Sequence, residues 1–379
     1  MTEKFRLVTV TTDVAEQATG WQPAAIRALA EGKIPDTVYL FHIDKPALAL
    51  ARYADALRDI NWEACLENNV KVTRSMFASG GYSYAEPGTP ILTLGWNTDN
   101  HPQLPKRPDD VLMKLLGATA DIASEKYKIP IRYRPLNDLE LWDPESKVWR
   151  KILGCGCSGV FNLIGVGWWV QTTKPSDLLA KVVLSPVEKF ADKILKEATE
   201  RGWSLEEAGA YPLGIKEIDR IREDWREISL NALKKAFNIE VEEGEITDIE
   251  RQYVEEFMKQ FHSEEWILAR SAEKRYEEIP PGTNLGKAFL KVPGGPLIRS
   301  YVLREGNKIR EIMFTGHIHM RPGDALEKLE QELSGLEINE AVIRAKVEEW
   351  FNTGIDIAML EQSQIVNIIL EACKKSYEE

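Results

Sequence analysis

The sequence is poor in the residues that staple or anchor a chain. Its four cysteines, Cys65, Cys155, Cys157 and Cys373, are too few to frame 379 residues with disulfides. The opening MTEKFRLVTV has no long apolar segment of the signal-peptide kind, so a reduced, cytoplasmic protein is expected. No stretch reaches the ~20 consecutive apolar residues of a membrane helix; the nearest approach, GVFNLIGVGWWV, is short and broken by glycine. Basic charge is also in deficit. With 48 Lys and Arg against 60 Asp and Glu, the net charge is −12 and the pI near 5.2, which excludes general phosphate-driven binding to nucleic acid. Cys155-X-Cys157 has no second cysteine pair to complete a zinc site. What is present is apolar material, 44% of the residues, enough for one large domain and a smaller one.

In chain order, RLVTV reads as a strand, and Thr12-Asp13 caps a helix through WQPAAIRALAEG. VYLFHI is a second strand ended by Lys45-Pro46, while ALALARYADALRDI has helical spacing. WEACLENN is helical, VKVTRSMF is a strand carrying Arg74, and ILTLGW is a strand beyond the glycine-rich ASGGYSYAEPGTP. DDVLMKLLGATADIASEKY repeats apolar residues at helical intervals, FNLIGVGWWVQTT is a buried strand, and TKPSDLLAKVVLSP connects strand to helix. Such alternation predicts a sheet domain of the α/β or α+β class. From about 186 to 262 the chain shifts to charged amphipathic segments, PVEKFADKILKEATERG, KEIDRIREDWREISLNALKKAF and DIERQYVEEFMKQFHSEEW, which read as a helical insertion. RYEEIPPGTNLGKAFLKVPGG reads as a linker. PLIRSYVLREGNKIREIMFTGHIHM is a hairpin turning at Glu305-Gly306-Asn307, followed by helices in DALEKLEQELSG, NEAVIRAKVEEWF and the tail. The expected domains are 1–280 and a two-stranded, multi-helix 281–379.

Most of the chemistry lies between Asn137 and Ser158, NDLELWDPESKVWRKILGCGCS. Two alternating apolar runs flank the turn Asp143-Pro144-Glu145-Ser146, the signature of a hairpin. Lys151 falls on the second strand just ahead of Gly154-Cys155-Gly156, where the sheet fixes its ammonium and glycine lets a ligand approach the backbone. A lysine held this way suits a phosphate or the charge developing at a carboxyl group, though it can also be a solvated strand lysine. Gly80-Gly81 is a bend whose N–H groups could cradle an anion, or a plain turn. His317 and His319 alternate along a strand with both rings on one face, read as an exposed face. Trp142, Trp149, Trp168 and Trp169 fall near the presumptive pocket.

Together these pieces resemble the lipoate-protein ligases of the biotin and lipoate ligase superfamily. TRSMFASGGYSYAEPGT is similar to that family's glycine loop, NDLEL followed by RKILG to its Asn-Asp strand and lysine, and GVGWWV to the glycine-containing strand that comes next. IREIMFTGHIHMRPGDALEKLEQELSG is similar to the accessory domain of full-length bacterial members, so the likeness runs in order over about 300 residues. There are departures. Arg74 stands for two arginines, Ser79-Gly80-Gly81 for three glycines, Tyr82-Ser83-Tyr84-Ala85-Glu86 for an apolar-His-Asp run, Gly154-Cys155-Gly156-Cys157 for Gly-Ser-Ala, and Val166-Gly167 for His-Gly. They fall on the acyl pocket and leave the identity of the acid open.

The resemblance implies an α+β protein: a mixed β-sheet catalytic domain of the biotin/lipoate ligase type with flanking helices, plus a small α+β C-terminal domain. It implies ATP-dependent activation of lipoate, or a similar acid, as an acyl-adenylate, and transfer to a lysine of a lipoyl-domain or GcvH-like acceptor protein. Lys151 would be catalytic, touching acyl carbonyl and phosphate. Arg74, Ser79, Gly80, Gly81, Tyr82, Asn137, Asp138 and Gly154 would bind acid and nucleotide. Asn137 and Asp138 would hold Mg²⁺ through hard oxygens, and apolar residues of Met76-Phe77-Ala78 and GVGWWV would line the acyl tunnel. Neither nucleic acid nor membrane enters. Two other readings stand beside this one: an ATP-independent octanoyl or lipoyl amidotransferase carrying the acyl group on Cys155 or Cys157, or an inactive homologue that keeps only acceptor binding.

Overall fold

The computed structural model describes residues 2–145, 147–160, 162–170, 177–184 and 217–376. The helix expected in PVEKFADKILKEATERG and Ser146 of the hairpin turn lie outside them. Eight strands form the main sheet, in spatial order β12 (Ile239–Glu243), β1 (Glu3–Thr12), β2 (Thr37–Ile43), β7 (Pro90–Asn97), β11 (Leu163–Val170), β10 (Val148–Val160), β9 (Asp138–Asp143) and β8 (Ile131–Arg134). β1 runs parallel to β2 and β12; the remaining pairs are antiparallel.

Alternation gives this sheet two unlike faces. On one, Leu92, Leu94, Trp96, Leu139, Leu141, Leu153, Cys155, Cys157, Val166 and Trp168 are buried under two helices, α2 (Pro108–Tyr127) and α3 (Trp225–Phe237). Each large apolar side chain sealed there stabilises the fold by roughly 2–3 kcal/mol. The other face carries the partners left by the same alternation, among them Thr93, Gly95, Gly154, Gly156, Gly165, Gly167 and Trp169. It is covered by a helical segment that starts at the cap Asp13, passes through a π-helical turn at Gln17–Trp21 and continues as α1 (Gln22–Ala30). Packed on α1 is α4 (Asp248–Phe261), which starts in a capping box of Thr247 and Glu250.

Several expectations change here. ALALARYADALRDI, helical by spacing, is a strand, β3 (Ala47–Leu50), followed by a short helix at Ala56–Asp59. β3 lies between β4 (Lys71–Arg74) and β6 (Tyr82–Ala85), and pairing on both edges outweighs alanine's helical preference. In the described part of the expected insertion, β12 extends the main sheet, and KEIDRIREDWREISLNALKKAF breaks at Asp224 into two helices. The supposed linker holds a nine-residue strand, β13 (Thr283–Lys291). The C-terminal sheet is therefore larger than a hairpin, in the order β13, β14 (Leu297–Glu305), β15 (Lys308–Arg321) and β16 (Asp356–Ile357). Its core is closed by α5 (Ala325–Leu333), α6 (Glu340–Phe351) and α7 (Gln362–Lys375). One more strand joins it from the first domain: β5 (Ser79–Gly80) pairs with β15, His319 opposite Ser79 and Ile318 opposite Gly80.

Candidate active site

Between the glycine-bearing face and the segment 14–30 lies a cleft of about 940 Å³, its open mouth included. Its floor is built by register: Gly156 stands opposite Gly167, Ser158 opposite Gly165, Gly165 opposite Gly95, and Gly167 opposite Thr93. Side chains at these positions would fill the space. A methyl at Gly95 would come within 2.9 Å of Ile26 Cδ1, and one at Gly167 within 3.3 Å of Gln22 Nε2. The roof supplies Val14, Ala18, Ile26 and Leu29 with the amides of Gln17 and Gln22, while Phe77, Ser79 and Tyr82 close a side. Among the described residues, none that lines it is Asp, Glu, Lys, Arg or His. A cleft so neutral accepts an apolar chain and rejects a charged head group. Trp169 forms one end, its ring 3.3 Å from where a Gly154 Cβ would be, and its buried indole N–H has no acceptor among the described residues.

Beyond Trp169 on the same face stands Lys151. It is opposite Glu140, and a bulge between Lys151 and Leu153 re-aims the strand before Gly154 falls opposite Asp138. The Lys151 Nζ lies 2.7 Å from Asp138 Oδ1, and Arg134 approaches the same carboxylate at 3.5 Å. Asp138 thus already holds a cation. Among the described residues no three His, Cys, Asp or Glu converge on a metal position. Asp138 offers a hard carboxylate oxygen there, of the kind a Mg²⁺ carried on phosphates would use.

The other expected ligand residues are placed differently. Arg74 is 1% exposed, and its guanidinium donates to the carbonyls of Ala51, Arg52, Ala54 and Ile267, so it clamps backbone and does not face the cleft. Burial, with the charge of Arg270, pushes its pKa down to about 9. Asn137 donates its amide to Cys155 O at 2.8 Å, capping the edge of β10 where β9 ends. The next backbone groups along that edge, those of Cys157, meet His319 Nδ1 at 3.2–3.4 Å, and Gly159 O accepts from Gly323 N at 2.8 Å. The second domain thus finishes the edge of the lysine strand.

It also fills the glycine bend. A methyl at Gly80 would stand 3.3 Å from His319 Nε2, and one at Gly81 2.7 Å from the His317 ring. The histidines expected on an exposed face are instead packed between domains, His319 at 2% exposure and His317 bonded to the fully buried Asp59 at 3.1 Å. The bend seats the accessory strand, and Ser79 beside it touches the cleft floor, its Cβ 3.2 Å from where a Gly156 Cβ would be. Burial pulls the His319 pKa down to about 4, with Asp138 opposing and Lys151 and His317 adding to the fall. A depressed imidazole contributes stability that is complete above its unfolded value near 6.5 and is lost as pH falls toward 4. Relative to His319→Gln, the wild type is expected to lose an extra ~3 kcal/mol between pH 7 and 4, measured by urea unfolding at each pH. Equal slopes would mean that the ring is not held neutral.

All four cysteines are buried. Burial pushes the Cys155 and Cys157 thiols well up, and those of Cys65 and Cys373 to about 11. Trp168, expected near the pocket, points into the core on the opposite face. Residues the sequence reading missed are Gln17, Gln22, Thr93 and Gly95. Part of that floor was visible, since Gly154/Gly156 and Gly165/Gly167 each alternate with period two and so share a face.

No protein-family model matches the chain. The octanoyltransferase LipM of Geobacillus kaustophilus is 22% identical over 259 residues, 64% of this chain and 89% of that protein. Among solved structures, the bi-partite lipoate protein ligase of Thermoplasma acidophilum, described with its E2 lipoyl domain, superposes with a TM-score of 0.52 at 18% identity, over 71% of this chain and 97% of its own. LipL1 of P. falciparum, in complex with lipoate, superposes with a TM-score of 0.60 at 10% identity, over 97% of this chain and 99% of its own. The fold is the α+β fold of these lipoate-protein ligases, and the match to LipL1 runs over 97% of this chain.

Proposed function

We propose that this protein is an ATP-dependent lipoate-protein ligase, which activates lipoate or a similar acid as an acyl-adenylate and passes it to a lysine of a lipoyl-domain or GcvH-like acceptor. The observation that carries the choice is the state of the cysteines. A transferase working through a thioester needs an accessible thiolate, and each of the four thiols of this chain is buried, with its pKa raised. Without a thiol to hold the acyl group, the carboxylate must be activated otherwise: its attack on the α-phosphorus of ATP forms the acyl-adenylate and releases pyrophosphate, and the acceptor amine then displaces AMP. The similarity to an octanoyltransferase keeps the thioester reading as the alternative.

In this reading the acyl chain lies on the glycine floor and its carboxylate emerges past Trp169 toward Lys151. The ammonium offsets negative charge as carboxylate and α-phosphate approach, a role in which a fixed donor in a dry site acts most strongly. The helical roof keeps water from the mixed anhydride. Asp138 would hold Mg²⁺ on the phosphates, exchanging it for one of its present cations.

Two experiments test this. Mass spectrometry of an acceptor lysine after incubation with ATP and a panel of short acids is expected to show acylation only when ATP is present, and Cys155→Ala/Cys157→Ala is expected to keep that activity within a few-fold. Acylation from an acyl-carrier donor without ATP, abolished in the double variant, would establish the transferase instead. A second prediction concerns the floor. A methyl at Gly165 meets nothing closer than 3.7 Å, so Gly165→Ala should fold yet occupy part of the cleft. KM for an eight-carbon acid is expected to rise about tenfold or more, and that for a two- or three-carbon acid to change little; an unchanged ratio would move the acyl chain elsewhere.

A further inference from the structure

Among the described residues the cleft lining offers no cation for a triphosphate, so the charged groups nearest the cleft are where a nucleotide is to be sought. On the same face, outward from Lys151, the three edge strands carry charge in register: Arg132 opposite Glu140, Arg134 opposite Asp138, and Lys151 opposite Glu140 from the other side. Alternation turns Leu139 and Leu141 into the core and these five side chains to the cleft face. Arg132 bonds Glu140 at 2.7 Å, Arg134 reaches Glu140 at 3.3 Å, and Lys151 holds Asp138 at 2.7 Å. Three cations thus stand over two carboxylates, leaving one positive charge in excess on a chain whose net charge is −12. Depth is ordered too. The carboxylate side chains are 9% and 14% exposed and the cations 30–49%, so the donors form the outer layer. The Arg132 guanidinium lies 4.0 Å from the Trp149 ring centroid, and Trp149 packs edge-on against Trp142 at 5.5 Å, which flattens the Arg132 fork against an aromatic wall.

We propose that Arg132, Arg134 and Lys151 seat the polyphosphate of the nucleotide, in place of the glycine bend and Arg74, both of which the fold has committed to other contacts. The proposal rests on the ligase reading above. Guanidinium forks pair with phosphate oxygens bidentately, and long arms rooted on a sheet edge can exchange carboxylate for phosphate without moving backbone. The strip adjoins the Trp169 end of the cleft, so the polyphosphate and the acyl carboxylate meet beside Lys151.

The test is equilibrium binding of ATP, and separately of inorganic tripolyphosphate, to the full chain and to Arg132→Gln/Arg134→Gln, with Trp fluorescence as the reporter because Trp149 lies under Arg132. The variant is expected to bind both probes at least tenfold more weakly. Arg132→Lys/Arg134→Lys, which keeps the charge and loses the forks, is expected to bind tripolyphosphate more tightly than the glutamine variant and more weakly than wild type, and it decides the question should the glutamine variant fail to fold: binding equal to wild type would overturn the role of the forks. Wild-type ATP binding that the glutamine variant matches within twofold would overturn this assignment and leave the ligase reading standing. Wild-type protein that binds neither probe would overturn both. A variant defective only toward the acceptor protein would make the strip a docking surface and overturn the proposal as well.

Discussion

Lys151→Ala is expected to slow acyl-adenylate formation by about 10²–10³-fold, the usual cost of removing one preorganised donor from a developing negative charge. The side chain is 30% exposed and, among the described residues, pairs with Asp138, so the variant should fold; Asp138 keeps Arg134 as a weaker partner at 3.5 Å. A half-exposed pair of this kind contributes at most ~1 kcal/mol to stability. The defect should therefore appear in rate and not in melting temperature. Lys151→Arg is expected to recover little, since a planar fork cannot reproduce a point charge aimed along the strand. Trapping the adenylate with hydroxylamine reads the step directly, without acceptor. Formation within tenfold of wild type would remove Lys151 from the chemistry, and the similarity of fold would then carry no mechanism.

The position of Lys151 was legible because it depends on local rules. Two alternating runs about a turn make a hairpin, and side-chain alternation fixes which face a residue takes once one neighbour is known to be core. The same rules located β11, although its glycines and Trp169, and not its apolar run as a whole, turned out to face the cleft. The roles of Arg74 and the Gly80–Gly81 bend were not legible, because they are set by contacts distant in sequence. Arg74 is consumed by carbonyls from the stretch after β3 and from Ile267, 193 residues away. The bend is taken by β15, more than 200 positions on. In sequence, an arginine beside a glycine loop has the same composition whether it waits for an anion or secures a corner. The histidines failed in the opposite direction: His-X-His suggested an open face because nothing nearby announced that Gly80 and Gly81 would lie on top of it.

β3 and β13 were missed for related reasons. Ala47–Leu50 is short and alanine-rich, which locally favours a helix, but its burial between β4 and β6 decides otherwise. β13 is flanked by proline and glycine turns at both ends, so its strand pattern was read as part of a linker, whereas it pairs with β14 over nine residues. Punctuation marks the ends of an element as readily as the absence of one.

Arg270→Met is expected to destabilise the protein by about 3–5 kcal/mol, the range for leaving one member of a buried ion pair alone. Arg270 is 7% exposed, with its Nη1 2.6 and 2.9 Å from the two oxygens of Glu330 and its Nη2 3.0 Å from Glu327. Glu327 also accepts from Arg52 at 2.6 Å and from the Tyr53 hydroxyl, so its carboxylate, shared with Arg270, ties α5 to the segment after β3. Burial pushes the Glu330 pKa up even with Arg270 opposing. Without that charge it rises further, and a carboxyl raised in the folded state favours folding below its unfolded pKa and loses that contribution as pH increases through the folded value. The defect of Arg270→Met should accordingly shrink as pH is lowered from 7 toward 5, a trend that lost packing alone does not produce. Arg270→Met/Glu330→Met removes the stranded charge and is expected to recover most of the loss, in urea melts that follow both domains. A double variant as unstable as the single one would show that Arg270 acts through its contacts with Tyr53 and the Phe314 carbonyl. The link between the domains would then be steric, and undocking of the His317–His319 strand from the glycine bend would not depend on pH through this pair.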